Sequence, residues 1–554
     1  MKTLHRCLVL VVSAAAPVLT CAADADSFED LVKKAQKKQA DLDWPGAATL
    51  WDQVVARNPT QGEFWEHLAT CRYSNKEYHR AIGAYEKVLE LRTGYPAVAA
   101  FSIARCYARA DEKNAALDWL EKALKLGYRY LDAVRTSQDL KTLRNEPRFK
   151  ELTFDADTKA MTRDDGWRLD LKFLAHEIKR LHYNPYRIVT REQFDAEVQK
   201  LQDAIPKMSD AAIEIGFMKL ARLAGDGHTA IRPSSPSPTL PVRFFLFEEG
   251  VFITATTPDQ ADFAGSQLLK IGALPVEKAL AALEPLISRD NPMGLKAAGP
   301  RLLTVPRILN ALGLIPDADK VSLTMRGLDG KERTVVLSAQ SGMPDATWVT
   351  ARQGLKVAAP LYQKNRTAPY WFEFLAESKT VFCQYNAVRN DSKESFEKFC
   401  GRMFEFVEKN EVERLVLDLR FNGGGNTFLT PPLIHGLIRC PKVNQAGKLF
   451  VIVGRQTFSA AQNCSTDLEM HTKATFVGEP TGSSPNFIGE TVPLTLPYSG
   501  MRGSISDLYW GRSWPMDYRI WIAPRLYAPP TFAALRANRD PALDAILATA
   551  SSKQ

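Results

Sequence analysis

The sequence has few histidines and few cysteines for its length. Among 554 residues there are 8 of each, and no two cysteines show the CxxC spacing that is typical of zinc sites. Lysine and arginine outnumber the acidic residues by a formal charge of +8, but they form no block, so the sequence predicts no nucleic-acid partner. Beyond the N-terminal segment, no apolar run approaches the ~18–20 residues that a membrane-spanning helix needs.

The N-terminal segment reads MKTLHRCLVLVVSAAAPVLTCAADADS, with Lys2 and Arg6 before an apolar run and small residues at its end. This order is typical of a secretory signal peptide, here residues 1–23 with cleavage after Ala23. The sequence therefore predicts an exported protein, periplasmic or secreted. Lipoprotein anchoring through Cys21 is the less favoured alternative, because a threonine precedes that cysteine.

Six cysteines remain after that segment. An oxidising compartment permits three disulfides, and buried free thiols are the alternative; both interpretations stay open. The six are Cys71, Cys106, Cys383, Cys400, Cys440 and Cys464.

An internal repeat occupies the first part of the mature chain. The segments AATLWDQVVARNP, AIGAYEKVLELRT and AALDWLEKALKLG begin at Ala47, Ala81 and Ala115, which is a spacing of 34 residues. An aromatic residue follows at the same position in each, as nested helix pairs of tetratricopeptide type require. We therefore predict a helical solenoid over residues 27–155. Its concave face is either a docking surface for a protein partner or a packing and spacing element.

Residues 160–235 show a helical pattern that ends in the glycine-bounded loop GDGHT, which contains His228. Within the helices, the stretch HEIKRLH resembles a metal motif, but His176 and His182 are six residues apart. A HExxH zinc site needs both histidines on one helical face. These two histidines are therefore interpreted as structural, and no metal or organic cofactor is expected.

Short strand patterns cover residues 240–340, and strands alternate with helices over residues 365–550. Such alternation predicts a mostly parallel sheet covered by helices, in which function gathers at the carboxyl ends of strands. Ser459 follows one of these predicted strands, KLFVIVG, and opens a predicted helix.

Two features at this sheet edge, together with a histidine in a loop after a helix, suggest chemistry of the acyl-transfer kind. A nucleophilic serine needs a base and backbone donors for an oxyanion, and the amide of Ala460 beside Ser459 is one such donor. The loop DLRFNGGGN follows another strand and brings glycines, which let backbone approach a ligand closely. His228 is the candidate base, since the other histidines lie in helices or repeats. Taken singly, a serine at a helix start is more often an N-cap and a glycine run more often a turn.

The segments LAGDGHT, LVLDLRFNGGGN, GRQTFSAAQN and FVGEPTGSSPN, in this order, resemble the tail-specific protease family of carboxyl-terminal processing and tricorn-like serine peptidases. The resemblance runs from about Trp167 to the C-terminus. It implies a crotonase-like core with Ser459 as nucleophile. It also implies an oxyanion hole made of the Ala460 amide and one glycine of the Gly424–Gly425 pair, here assigned to Gly424.

The resemblance also bears on the general base. The processing branch of the family uses a lysine on the strand after the serine, where this sequence has Ser484. The tricorn-like branch uses a histidine supported by a downstream carboxylate, which implies His228 as base and Asp517, 58 residues after the serine, as the orienting acid. Glu479 and Glu490 are the alternative orienting acids.

The segment GSQLLKIGALPVEKAL within residues 240–340 resembles a PDZ module, which binds peptides by strand addition. We therefore expect a multidomain α and α/β protein. Its expected function is that of an exported serine peptidase acting on a protein or peptide substrate. The alternative is a non-catalytic protein- or ligand-binding scaffold on the same fold, with the repeats as its working part.

Overall fold

The structure is a computed structural model that describes residues 27–234, 236–342, 348–352 and 359–549. The predicted signal peptide, with Cys21 and the cleavage position after Ala23, lies outside these residues. By its internal contacts the chain divides into two units, Met1–Asp155 and Ala156–Gln554. Within the described ranges, no helix combines the length and apolar composition that crossing a membrane requires.

The first unit consists of helices that pack on their neighbours along the chain. Helices beginning at Trp44, Tyr78 and Lys113 start 34 and 35 residues apart, in step with the sequence repeat. Ala47 and Ala81, which open two of the repeats, are buried, so small residues let these helices approach their neighbours closely. The assignment to the tetratricopeptide type stays a prediction. The helices are α1 Phe28–Ala40, α2 Trp44–Arg57, α3 Gly62–Ser74, α4 Tyr78–Glu90, α5 Pro96–Arg109, α6 Lys113–Lys125, α7 Leu131–Thr136 and α8 Pro147–Thr153.

The second unit mixes helices and strands. Its helices are α9 Arg163–Leu181, α10 Arg191–Ala204, α11 Asp210–Arg222, α12 Val276–Leu283, α13 Met293–Leu302, α14 Pro306–Ala311, α15 Phe396–Lys409, α16 Pro431–Arg439, α17 Ala460–His471, α18 Phe532–Arg536 and α19 Pro541–Ala548. Its strands are β1 Ala230–Arg232, β2 Val242–Phe247, β3 Gly250–Thr256, β4 Gln267–Ile271, β5 Leu274–Pro275, β6 Lys320–Arg326, β7 Glu332–Ser338, β8 Val349–Thr350, β9 Tyr370–Leu375, β10 Thr380–Tyr385, β11 Arg414–Asp418, β12 Leu449–Val453, β13 Thr475–Gly478, β14 Asn486–Gly489, β15 Val492–Thr495, β16 Arg502–Ile505, β17 Leu508–Gly511 and β18 Leu526–Tyr527.

A six-stranded sheet in the order β18-β13-β12-β11-β10-β9 forms the centre of this unit. Its strands run parallel except β9, which pairs antiparallel with β10, so the expectation of a mostly parallel sheet is confirmed. Successive side chains of each strand point to opposite faces of the sheet, and in the central strands both sets of side chains are apolar. In β12, Val451 and Val453 belong to the core shared with α15, α16 and α17, whereas Phe450 and Ile452 pack against α19. The carboxyl ends of β11, β12 and β13 therefore lie side by side at one edge.

A second, antiparallel sheet of seven strands follows the path β2-β3-β4-β6-β7, with β5 and β8 at its margins. It shares an apolar core with α12 and with parts of α11, α13 and α14. This sheet occupies the range predicted to be PDZ-like, and that finer assignment stays a prediction.

A short sheet of three strands joins the histidine-bearing segment to the central part of the unit. β1, directly after His228, pairs with β16, and Ala230 lies opposite Ser504. β16 also pairs with β15. The segment 160–235 is therefore built into a sheet whose other strands lie more than 250 residues further along the chain.

All six cysteines after the signal segment are buried free thiols. The structure therefore agrees with the interpretation as free thiols and not with the three disulfides. Burial raises their pKa, for example that of Cys106 to about 12, which keeps the thiols neutral and unreactive.

Candidate functional site

Ser459 lies in a tight turn between the end of β12 at Val453 and the start of α17 at Ala460. Its backbone has φ +54° and ψ −126°, and its side chain makes no capping hydrogen bond to the helix. A residue with a Cβ in such a conformation costs about 1–3 kcal/mol and persists only where its surroundings impose it. Thr457 imposes part of this turn, since its hydroxyl donates to the Leu419 carbonyl at 2.9 Å. The alternative that the Ser459 side chain serves as the N-cap of α17 is therefore not what the structure shows.

The glycine loop packs directly against this turn. Gly424 has φ +105°, and a Cβ placed there would lie 2.7 Å from Ser459 Cβ and 2.9 Å from the Ala460 amide nitrogen. The Asn422 carbonyl accepts the Phe458 amide at 3.1 Å, which fixes the loop to the turn. Contact this close is open only to glycine, so the glycine run does more than turn the chain.

The amide of Gly424, assigned as an oxyanion donor, already donates to Asn422 Oδ1 at 3.0 Å. Its neighbour Gly425 lies against Val388. The amides of Gly425 and Ala460 have no protein acceptor among the described residues. Within the glycine pair that the sequence singled out, Gly425 therefore carries the N–H that a ligand could use.

His228 lies in the loop between α11 and β1, and its ring is stacked on aromatic side chains of the core. Its centroid is 4.4 Å from the ring of Phe458 and 5.6 Å from that of Phe487, with interplanar angles of 25° and 8°. Phe458 is the residue immediately before Ser459. The stack therefore brings the imidazole to the serine turn, although 231 residues separate the two along the chain.

Both ring nitrogens of His228 are buried without a hydrogen-bond partner among the described residues. Burial lowers the pKa of His228 to about 4, although the Asp226 charge and the Ile488 backbone act in the opposite direction. The imidazole is therefore neutral at neutral pH, with a lone pair able to accept a proton.

Two carboxylates, those of the buried Asp226 and the half-buried Asp290, hold the backbone of this loop. Asp226 Oδ1 accepts the amides of His228 and Thr229, each at 2.7 Å, and Asp290 Oδ1 accepts the amide of Gly227 at 2.7 Å. Three successive N–H groups around the histidine are thus anchored, which fixes its Cα while leaving its ring free of hydrogen bonds.

Asp226 is itself held by His182. The two side chains are fully buried and 2.8 Å apart, between Nε2 and Oδ2. The Asn184 amide donates to His182 Nδ1 at 3.0 Å, so Nε2 carries the proton that Asp226 accepts. Hydrogen bonds from His182, Ser506 and the loop amides lower the pKa of Asp226 to about 2 against its burial. His182 is structural, as its spacing from His176 indicated, and it acts on the loop through Asp226.

Asp290 is a residue that the sequence analysis missed. Burial raises its pKa to about 7, and the nearby Asp226 charge adds to that effect, whereas hydrogen bonds from Ser483 and Gly227 oppose it. Asp290 follows α12, 63 residues after Gly227, and no local motif marks it.

The three predicted orienting acids have different surroundings. Asp517 accepts hydrogen bonds from Arg519 at 2.9 Å and from Ser513 at 2.6 Å, and Arg519 in particular lowers its pKa. Glu479 is buried and pairs with Arg455. Glu490 is exposed at a backbone φ of +58°. The structure thus brings the serine turn, the glycine loop and His228 together, but it shows none of these carboxylates hydrogen-bonded to the His228 ring.

Metal-binding side chains do not converge in the described part of the chain. No group of three or more His, Cys, Asp or Glu residues there is placed to hold an ion. The groups that the site offers for chemistry are the serine, the imidazole and the backbone amides described above.

The comparison with solved structures identifies the fold. The chain aligns with mature CPAF complexed with lactacystin at a TM-score of 0.51 and 14% sequence identity, over 69% of this chain and 97% of that one. This chain is similar in fold to CPAF. Nearly all of the CPAF chain is covered by this alignment.

Other comparisons give weaker likenesses. The photosystem II D1 C-terminal processing protease covers 71% of this chain at 14% identity, with a TM-score of 0.34. A putative S41 protease from Bacteroides fragilis covers 57% at 12% identity, with a TM-score of 0.26. A chloroplastic protein of Arabidopsis thaliana is 35% identical over 80 residues, which span 14% of this chain and 24% of that protein. No family model matches the sequence.

Proposed function

We propose that this protein is an exported serine peptidase of the tail-specific protease family, with Ser459 as nucleophile and His228 as general base. The observation that carries the proposal is the stack of His228 on Phe458. This stack places the imidazole beside Ser459, whose backbone is strained and whose hydroxyl caps no helix. Neither nitrogen of the imidazole has a hydrogen-bond partner among the described residues. The fold shared with CPAF supports a catalytic core, and the four sequence motifs support the family.

The proposed reaction is acyl transfer. Neutral His228 takes the hydroxyl proton as Ser459 Oγ forms a bond to a peptide carbonyl carbon. The oxyanion accepts hydrogen bonds from Ala460 and from the glycine pair, in which Gly425 rather than Gly424 has the N–H to give. The C–N bond then breaks as the imidazolium protonates the leaving amine, and water releases the acyl group by the same steps in reverse.

The proposal does not require a carboxylate that orients the His228 ring. For Asp517 to orient the His228 ring, its carboxylate has to exchange its bonds to Arg519 and Ser513. In the described structure the histidine is instead oriented from its backbone, through Asp226 and Asp290. A peptidase that works by this arrangement needs only Ser459 and His228 as proton-transferring side chains.

Labelling with a fluorophosphonate probe tests the proposal on the full chain. Wild type should label, and Ser459→Ala and His228→Ala should not. Ser465→Ala is the matched control, because Ser465 lies on the same helix with its hydroxyl bonded to the Ala461 carbonyl at 2.8 Å; it should label like wild type. Equal labelling of wild type and Ser459→Ala would refute the peptidase proposal.

A non-catalytic scaffold is the second candidate, and one observation favours it. The His228 ring has no hydrogen-bonded carboxylate among the described residues, as expected for a site that has lost catalysis. On that reading the repeats of the first unit would bind a protein partner. Absence of labelling in folded wild type would support the scaffold.

A further inference from the structure

A cavity of about 670 Å³ lies at the carboxyl ends of β11, β12 and β13. Residues of β2 and β3 line one side of it, and residues that follow the three central strands line the other. Its volume is within the range of small-ligand and peptide side-chain sites. The proposed catalytic residues Ser459, His228 and Gly424 are not part of its lining, so the cavity is a separate feature of the same sheet edge.

Positive charge dominates the lining. Glu479 and Asp540 are its carboxylates, and both are already neutralised, the first by Arg455 and the second by Arg420. The arginines that line the cavity are Arg243, Arg352, Arg366, Arg420, Arg455 and Arg539.

Two of these arginines have no carboxylate partner among the described residues. Arg352 donates from Nη2 to the Asn538 side chain, and its Nε is buried without any acceptor there. Arg366 stacks over the ring of Phe421, with its guanidinium carbon 3.7 Å from the ring centre. A buried N–H without an acceptor is rare because it is costly, and a guanidinium on an aromatic face still presents its edge to a carboxylate.

The rest of the lining is largely aromatic and apolar. Phe245, Phe247, Tyr362 and Phe421 contribute rings to the wall. A ligand that matches this cavity therefore carries more than one carboxylate on a partly apolar body, because two guanidiniums have no carboxylate partner among the described residues.

The cavity lies within reach of the serine. Gln456 lines it and precedes Ser459 by three residues. Three extended residues span at most about 11 Å. Gln456, at the wall of the cavity, is therefore at most about 11 Å from Ser459, measured between Cα atoms.

We propose that this cavity binds an acidic segment of the peptide substrate, with Arg352 and Arg366 as its carboxylate-binding residues. The proposal rests on the proposed peptidase function for its ligand. Carboxylates of Asp or Glu side chains pair with the two guanidiniums, and neighbouring apolar side chains contact the rings.

Binding to the inactive full-length chain tests this separately from catalysis. Fluorescein-labelled peptides with a Glu-Phe-Glu segment and matched Gln-Phe-Gln peptides, each with a free or an amidated C-terminus, are titrated against Ser459→Ala by fluorescence anisotropy. The Glu peptides should bind about ten- to hundredfold more tightly than the Gln peptides, whether or not the terminus is amidated, and the preference should weaken with added salt.

Substitutions in the Ser459→Ala background locate the binding. Arg366→Gln and Arg352→Gln should each lower the ratio of the affinities for the Glu and Gln peptides by about tenfold. Arg352→Lys should lower this ratio less, because it keeps the positive charge. Arg326→Gln is the matched control, an arginine on β6 that pairs with Glu332 outside the cavity, and it should change nothing. Thermal unfolding verifies that each variant is folded.

Three results would overturn the proposal. The first is equal binding of Glu and Gln peptides, and the second is an unchanged preference in folded Arg352→Gln and Arg366→Gln. The third is a preference that follows amidation of the C-terminus instead of the Glu side chains, which would assign the cavity to the chain end. A failure of fluorophosphonate labelling would refute the peptidase proposal and leave this binding result intact.

Discussion

The serine turn and the histidine loop are built in opposite ways. The backbone at Ser459 is strained, and van der Waals contact with Gly424 and the Thr457 hydrogen bond confine it. The backbone at His228 is held by two carboxylates, Asp226 and Asp290, which accept three successive amides. In both places the constraint acts on the main chain, and the described residues offer no partner to the imidazole nitrogens. Such a site has fixed positions for its reactive groups.

The largest effect should come from removing the charge that holds the histidine loop. Asp226→Ala leaves two amides and His182 without their acceptor inside the protein, which should lower the free energy of unfolding by about 3–5 kcal/mol. Fluorophosphonate labelling should be lost with it. Denaturant unfolding measures the first effect. Asp226→Asn, which keeps one acceptor oxygen but loses the charge, should lose less than Asp226→Ala; a loss near zero in Asp226→Asn would mean that the charge has no role.

The pH dependence of labelling should reveal the environment of the base. Because burial lowers the pKa of His228 to about 4, the ring stays neutral down to that pH. The labelling rate should therefore be nearly constant between about pH 5.5 and 7, whereas a histidine with the ordinary pKa of about 6.5 would lose roughly tenfold. A midpoint near 6.5 in a folded protein would show that the ring is more hydrated than its stack with Phe458 and Phe487 implies.

Asp290→Asn should show how much Asp290, as distinct from Asp226, contributes to the pH dependence of the free energy of unfolding. The folded-state pKa of Asp290 is raised to about 7, so the unfolded chain ionises first as pH rises from about 4 to 7. Stability is therefore lost over that window. Asparagine keeps an oxygen for the Gly227 amide but cannot ionise. The variant should gain stability relative to wild type at about pH 8 and match it near pH 4, as thermal unfolding can measure; a gain that is the same at both pH values would contradict the assignment.

The smallest effect should come from substitutions of Ser459 that change the strain of its backbone. Ser459→Gly and Ser459→Ala both remove the hydroxyl, but only glycine releases the strain at φ +54°. The glycine variant should exceed the alanine variant by about 1 kcal/mol in free energy of unfolding. Denaturant unfolding of the two variants makes the measurement, and a less stable glycine variant would show that the turn is not strained.

Much of the central sheet could be predicted from local patterns. Apolar runs such as KLFVIVG, spaced by helix-length segments, predicted parallel strands because buried parallel strands are apolar on both faces. The position of Ser459 after β12 followed from the same pattern. The sequence predicts the segment 160–235 to be a separate helical part, because nothing in it shows that β1 pairs with β16.

The parts of the site that escaped prediction depend on contacts between distant residues. Neither the stack of His228 on Phe458 nor the bond from Gly227 to Asp290 leaves a periodic or spaced signal in the sequence. The engagement of the Gly424 amide by Asn422 is a local turn, which the run FNGGGN could have suggested. The ion pair of Asp517 is also local, since Arg519 stands two residues further on, and that neighbour could have weakened its assignment to the histidine.

The pairing of β1 with β16 affects the order in which the chain becomes complete. Ser504, opposite Ala230, donates its hydroxyl proton to the His228 carbonyl at 2.7 Å. On the ribosome, that serine is made 276 residues after the histidine. A nascent or truncated chain that stops before β16 has no strand against which β1 can align, so the histidine loop is finished only after β16 has been made.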